Sequence, residues 1–373
     1  KEDAENIRHG EISLSLDAET GLISNTRFDQ NLVQYSDDYE ETQGFSPTFN
    51  AFHERLAKDL IERFDLRGKK VVEIGCGKGE FLSLLCELGD NDGVGFDPAY
   101  RPERNPSSAR DRMHFVQDFY SEEYAPLTAD FLCCKMTLEH IPDVLEFVSM
   151  IRRSLEANPE TTVFFQVPDV RRILRDIAFW DIYYEHCSYF SEESLRSLFE
   201  SAGFGVMQTW TDYDNQYLMI EAKPALAGSG SKNSSSPSFD RLKSDVLYFS
   251  EQIDHRLSSW QAYLDKSVER GDRIVLWGGG SKAVSFLTTL RHSECVLGAV
   301  DINPHKHGTF LAGTGLPILS PADLLKWPPD SVVIMNPVYE DEIQRSLMEM
   351  GLHPNVLNID SQPEYVGKED VSI

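Results

Sequence analysis

Two short segments constrain this chain more than any others. Val71-Val72-Glu73-Ile74-Gly75-Cys76-Gly77-Lys78-Gly79 and Ile274-Val275-Leu276-Trp277-Gly278-Gly279-Gly280-Ser281-Lys282 each pass from a short apolar run into glycines and then into an amphipathic stretch. Glycine lets a backbone turn sharply and approach a ligand closely. A short apolar run ending in such a turn and opening a helix is the repeating unit of a parallel α/β sheet. Two such units, far apart in 373 residues, predict two α/β domains. They share an architecture, with no residue-level repeat.

The stretch between the loops supports this. Residues 51–66 have helically spaced Phe52, Leu56, Leu60, Ile61 and Phe64. GVGFDP (93–98), MHFVQDF (113–119) and TTVFFQVPD (161–169) read as strands, DFLCCKMTLEHI (130–141) as a strand running into a loop, and 192–204 as a helix stopped by Gly203. The Gly/Ser-rich segment 227–238 reads as a flexible linker. Helical periodicity follows over 239–270, and strand–helix alternation restarts at 271. The expected organisation is an N-terminal segment 1–50, a core 51–226, the linker 227–238 and a second domain 239–373.

Charge narrows the partners. Lys and Arg number 35 against 61 Asp and Glu, a net charge of −26. Such a field repels phosphate backbones and anionic bilayers, so neither nucleic acid nor a membrane is an expected partner. Any anionic substrate would need local basic groups. The six cysteines (76, 86, 133, 134, 187 and 295) have neither disulfide-framework nor zinc spacing. No apolar run is long enough to span a bilayer, and the polar start KEDAENIRHG lacks a signal-peptide core. That start also lacks Met, as in a trimmed chain. A cytoplasmic location is the expectation.

The first loop carries acids at informative places. Glu73 precedes the glycines, where a dinucleotide fingerprint is apolar. Asp97 ends the next strand, where a carboxylate takes ribose hydroxyls, and Asp118 ends the third, within reach of an adenine amine. Together these features resemble the class I S-adenosylmethionine (SAM)-dependent methyltransferases. The resemblance implies a Rossmann-like core and a cofactor site from Glu73, Gly75, Cys76, Gly77, Gly79, Asp97, Asp118, Leu138 and His140. His140, in Leu138-Glu139-His140-Ile141, reads either as ligand-facing or as a capping and packing histidine.

Tyr183-Tyr184-Glu185-His186-Cys187-Ser188-Tyr189-Phe190 is unusually dense in titratable groups. The pattern YEHxSYFSxESLRxLFExAGF resembles sugar C-methyltransferases acting on nucleotide-linked keto sugars in deoxysugar biosynthesis. So do FDxxLVxYxxDYExxQ at 28–43, EIGCGKGEFL, GFDPxY, WGGGSKAVSFL and MNPVYxxEI. The resemblance runs from about Gly10 to Ile359 and implies a second, smaller Rossmann-like domain. The family's N-terminal module binds zinc through cysteine pairs. Here Asp17 and Thr20 stand where one pair would be, so no Cys-based zinc site is expected, and no other metal. The N-terminal strand would remain as a cover over the site.

The resemblance also implies a mechanism. A ketone acidifies the neighbouring carbon, a base removes its proton, and the enolate takes the methyl group, leaving S-adenosylhomocysteine. His186 would be the base and Glu185 its partner or a sugar ligand. Tyr183 would hydrogen-bond the enolate oxygen or a sugar hydroxyl, and Tyr39 would reach into the site. The residues alone also admit packing roles for His186, Tyr183 and Tyr184.

The second loop suits an anion at a helix N-terminus, with Lys282 adding charge. Gly278, Gly280, Ser281, Lys282, Asp301, Asn336 and Tyr339 are the expected substrate-binding set. A Rossmann-like unit that only buttresses the core is the equal alternative. Three other functions compete: an O- or N-methyltransferase on the same scaffold, a two-domain binding protein, and a NAD(P)-dependent oxidoreductase built on 271–360. The sugar, the nucleotide and the oligomeric state are not legible.

Overall fold

The computed structural model describes residues 1–33, 40, 42–225, 239–291 and 293–363. The chain divides into two compact units. One comprises Gly10–Arg171 with Tyr184–Lys243; the other comprises Lys1–His9, Arg172–Tyr183 and Ser244–Ile373.

The first unit begins with a hairpin of two short strands, β1 (Leu14–Leu16) and β2 (Ile23–Asn25). The main strands follow as β3 (Lys70–Ile74), β4 (Asp92–Phe96), β5 (Met113–Val116), β6 (Phe131–Lys135) and β7 (Thr162–Pro168). A short β8 (Ser188–Tyr189) precedes the hairpin β9 (Phe204–Asp212) and β10 (Tyr217–Pro224). Seven strands form one sheet in the order β5-β4-β3-β6-β7-β10-β9. The first five are mutually parallel, and β10 lies antiparallel to both neighbours. The order reverses between β3 and β6, which places a ligand crevice outside the carboxyl ends of these strands.

Local chemistry explains these elements. Ser46 caps the helix Pro47–Phe64 by accepting from the Phe49 N–H, and Pro47 fits its first turn. Phe52, Leu56, Leu60 and Ile61 fall on its buried face. Strand β6 is buried throughout, as a central strand covered on both faces must be. Tyr213, Asp214 and Asn215 all take positive φ, so the pair Asn215-Gln216 falls at the β9–β10 turn. Gly203 (φ 86°) follows the helix Glu192–Ser201, at the stop read from the sequence. Leu132, Phe165, Val148, Ile151, Phe199 and Phe190 belong to one core.

The N-terminal hairpin joins this unit through β8. The three strands order as β1-β2-β8, with Ile23 opposite Tyr189 and Ser24 opposite Ser188. The Asn25 N–H also donates to the Cys187 carbonyl (2.9 Å). At the positions where the resemblance would place cysteines, Asp17 Oδ1 accepts from the Thr20 N–H (2.7 Å) and the Thr20 hydroxyl (3.0 Å). These bonds close the hairpin turn with side chains.

The second unit carries β11 (Ile274–Trp277), β12 (Val296–Val300), β13 (Ile318–Leu319), β14 (Ser331–Ile334) and β15 (Asn355–Asn358). They form a wholly parallel sheet ordered β13-β12-β11-β14-β15. Val275, Trp277, Val300, Val332, Ile334 and Ile343 form a core around it. The helix Asp240–Arg270 supplies Trp260, which is fully buried and meets the Phe286 ring edge to face at 5.1 Å. The strands β13 and β15 were not legible in the sequence, being two and four residues long.

Phe190 is fully buried directly after β8, so Phe190→Ala is expected to cost about 3–5 kcal/mol. Urea denaturation of the full chain measures this, and a loss under about 1 kcal/mol would contradict the packing.

Candidate active site

The first glycine loop leaves β3 with Gly75, Gly77 and Gly79 all at positive φ. A side chain at Gly75 would place its Cβ 2.0 Å from Thr137 Oγ1, so residue 75 must be glycine on both counts. The Gly77 N–H donates to Asp97 Oδ2 (2.8 Å), and the Ala99 N–H to Asp97 Oδ1 (2.8 Å). Asp97 therefore braces the loop from the end of β4 while each oxygen keeps accepting capacity. Asp118, exposed after β5, accepts from the Tyr124 hydroxyl (2.8 Å). Cys76 is buried, and Leu138 is fully buried within the sheet core.

Glu73 has a different setting. Its carboxylate is buried and accepts from the Leu82 N–H (2.9 Å), tying β3 to the helix Glu80–Gly89. Burial pushes its carboxyl up to about 7, against the pull of Lys135. Lys135 is pushed down to about 8 by the same desolvation, partly offset by Glu73. Its ammonium lies 2.9 Å from His53 Nε2 and 3.6 Å from the centre of the Phe81 ring. The sequence reading missed Lys135 and His53. A lysine ending an otherwise apolar strand, DFLCCK, was the available signal.

Beyond β6 the chain turns at Met136 (φ 50°) into a short 3-10 turn, Leu138–His140. This turn meets the segment leading into β8. His140 Nδ1 lies 3.0 Å from the Glu185 carbonyl oxygen. A carbonyl only accepts, so this contact assigns the proton to Nδ1 and leaves Nε2 with a lone pair. Burial drives the ring down to about 4, so it is neutral at pH 7. His186 is buried at 3% exposure, its ring edge-on to His140 with centroids 4.8 Å apart.

Glu139 completes this cluster and was also missed. Its carboxylate is 1% exposed, with Oε1 4.0 Å from His186 Nε2. Neither oxygen accepts a hydrogen bond among the described residues. Burial pushes the carboxyl up to about 8. The nearest donor atoms of Glu139, His140 and His186 lie within 4.8 Å of one another. Two imidazoles and a carboxylate gathered this closely can handle a proton, and as a donor set they could also hold a metal ion.

The remaining expected residues fall elsewhere. Tyr183 is half-buried in the second unit. Tyr39 lies outside the described residues. Tyr184 holds the N-terminal segment: its ring packs on Gly10 and Phe28, and its hydroxyl accepts from the Asp29 N–H (2.7 Å).

In the second unit, Gly278 has φ 122° and Gly280 caps the helix Ser281–Thr289. The Gly279 N–H donates to Asp301 Oδ2 (3.1 Å), repeating the Gly77–Asp97 brace. Lys306 pairs with the same oxygen (3.3 Å). Lys282 does not stand open as a phosphate ligand, because its ammonium sits 2.7 Å from Asp181 Oδ1. Arg172 shares that carboxylate (2.5 Å). Asn336 caps the turn Pro337–Tyr339 by accepting from the Val338 N–H, and Tyr339 packs against the core.

Comparison with known proteins agrees with this architecture. A family model described as a methyltransferase domain matches residues 49–209. A second, described as a C-methyltransferase C-terminal domain, matches residues 241–353. C-methyltransferase NovU of Streptomyces niveus is 27% identical over 322 residues, covering 80% of this chain and 75% of that protein. The ubiquinone biosynthesis O-methyltransferase of Pseudomonas fluorescens (strain SBW25) is 29% identical over 117 residues, 28% of this chain and 47% of its own. A SAM-dependent methyltransferase structure from Aquifex aeolicus aligns over 47% of this chain and 98% of its own, with TM-score 0.34 and 16% identity.

The chain is a SAM-dependent methyltransferase with a Rossmann-like class I core. More narrowly, its residues 241–353 match the C-terminal domain of C-methyltransferases, and most of the chain is similar to one such enzyme. Among the described residues no helix is long and apolar enough to cross a membrane.

The raised carboxyl of Glu139 has a stability consequence with a definite sign. A group protonated in the folded state but ionised in the unfolded state stabilises fully below its unfolded pKa, about 4.5. That stability is lost as pH rises toward about 8. Glu139→Gln is therefore expected to melt close to wild type at pH 5 and above it at pH 8, measured by calorimetry. Equal melting temperatures at pH 8 would contradict the buried, unsatisfied carboxylate.

Proposed function

We propose that the protein methylates the carbon next to a ketone in a nucleotide-linked keto sugar, with His186 as the base. The observation that carries this reading is His186 itself. It is buried beside Glu139 and His140, on a segment fixed by the pairing of β8 with β2. A base near neutrality, shielded from water and held rigidly, is what proton removal from carbon requires.

SAM supplies the electrophilic methyl group when bound. The residues at the carboxyl edge of the first sheet fit it chemically. The backbone is bare where a side chain at Gly75 would collide, and the nearby carboxylates Asp97 and Asp118 suit a cationic ligand. Asp97 and Gly77 would hold the ribose, Asp118 the adenine amine, and Gly75, Cys76 and Gly79 the remaining loop contacts. Glu73 would act through the loop, as the brace between β3 and the following helix. Leu138 would shape the floor, and His140 would set the Glu185 carbonyl.

His186 would take the proton from carbon. Glu185 and Tyr183 would hold the sugar or the enolate oxygen, and Tyr39 would contribute from the N-terminal segment. In this division of labour residues 1–50 are the remnant of a zinc-binding module, 51–226 bind the cofactor and 227–238 link the domains. Residues 239–373 bind the nucleotide through the Gly278–Ser281 loop, Asp301, Asn336 and Tyr339. Lys282 takes part there by exchanging Asp181 for a phosphate. The sequence pattern around Tyr184-Glu185-His186 and the C-methyltransferase C-terminal domain support this reading over O- or N-methylation.

The test incubates the protein with SAM and a panel of nucleoside-diphosphate 4-keto sugars. S-adenosylhomocysteine formation and a new carbon-bound methyl signal by NMR are expected. His186→Gln should lower turnover by about a hundredfold or more while retaining S-adenosylhomocysteine binding by calorimetry. Unchanged turnover would remove His186 as base. Gly75→Ala should abolish that binding, because its clash and positive φ both deform the loop.

A further inference from the structure

We propose that Glu139 is a positioning residue for His186: it supplies the counter-charge for the imidazolium formed when His186 takes a proton from carbon. The inference rests on the reading of His186 as base and adds a residue that neither the sequence patterns nor the comparisons assign. Its ground is geometric. Glu139 is 1% exposed, both its oxygens lack a hydrogen-bond partner among the described residues, and Oε1 faces His186 Nε2 at 4.0 Å. That separation exceeds a hydrogen bond but lies within the range where opposite charges favour each other's ionised form.

Among the described residues, the other titratable groups bearing on Glu139 do not provide such a partner. His140, on the same turn, is neutral at pH 7. Cys134 on β6 and Cys187 before β8 are thiols that burial pushes up, so both are neutral. Cys187 holds the Glu139 main chain, its N–H donating to the Glu139 carbonyl (3.0 Å). Tyr189 meets the His186 ring edge-on, with centroids 6.0 Å apart. Among the described residues His186 is the group placed to carry a positive charge opposite Glu139.

The proton balance follows. Before reaction the competent pair is a carboxylate and a neutral imidazole. His186 gains the proton, the C–H electron pair stays on the substrate as the enolate, and the pair becomes carboxylate and imidazolium. The proton later leaves to water. At low pH the Glu139 carboxyl holds a proton of its own, so the counter-charge is missing. Activity should therefore rise with pH through the ionisation of the pair.

The test uses the full-length protein and two readouts. In the first, protein labelled with 15N-histidine is titrated by NMR without substrate, the His186 signals being assigned by their loss in His186→Gln. Glu139→Gln is expected to lower the His186 midpoint by about one unit or more. In the second, turnover with a nucleoside-diphosphate 4-keto sugar is followed against pH. Glu139→Gln should lower kcat about tenfold or more, move the acid limb to lower pH and leave KM for SAM unchanged. Glu139→Asp should recover part of kcat. An unmoved His186 midpoint with an unmoved acid limb would overturn the proposal. If the midpoint moves but His186→Gln retains turnover, the pair exists and the reading of His186 as base fails instead.

Discussion

Taking a carboxylate out of water without giving it a hydrogen bond costs several kcal/mol, and the usual escape is protonation. In the first domain Glu73 on β3 and Glu139, just beyond the adjacent strand β6, are both buried. Glu73 is compensated: it accepts a backbone N–H of the next helix and shares its desolvated surroundings with Lys135. Glu139 is compensated by no hydrogen bond among the described residues, only by an imidazole at the edge of charge-pairing range. With Glu139 serving His186 as proposed, the difference separates a structural acid from one held ready for chemistry. It also concentrates the fold's electrostatic strain where the sheet order reverses and a ligand crevice opens.

How much was legible in the sequence depended on the range of the interaction. Strand, glycine turn and helix are specified within about twenty residues, so both Rossmann-like units and the Asp97 and Asp301 positions could be read directly. The helix Pro47–Phe64 was legible from its apolar spacing, though its start, set by Ser46 and Pro47, lies four residues earlier than expected. Glu139 was not singled out because its neighbours His186 and Cys187 come from a segment more than forty residues downstream. The pairing of Lys282 with Asp181 crosses about a hundred residues and was equally hidden. Local features of the chain were legible, and partners brought in from distant segments, such as Glu139 and Asp181, were not.

The two domains solve one problem in the same way. In each, an aspartate at the end of the second strand accepts an N–H from the glycine loop of the first. The loops then diverge. Among the described residues Asp97 accepts from backbone N–H groups, whereas Asp301 also pairs with Lys306. The first edge carries the carboxylates Asp97 and Asp118, which suit a cationic cofactor. The second is closer to neutral, which removes one obstacle to an anionic ligand in a chain of net charge −26.

The seating of β8 on β2 carries a consequence for how the protein is made. The N-terminal hairpin leaves the ribosome long before the residues it must pair with, and its two strands have three residues each. A two-stranded ribbon of that length is not stable alone. The contact spans most of the methyltransferase core, so it can form only after β3 to β7 have been synthesised and their sheet can assemble. The His186 segment is thus among the last parts to be fixed. The glycine loop, specified within a short stretch of chain, can order before the His186 segment is seated, so cofactor binding and turnover should be gained at different moments of folding.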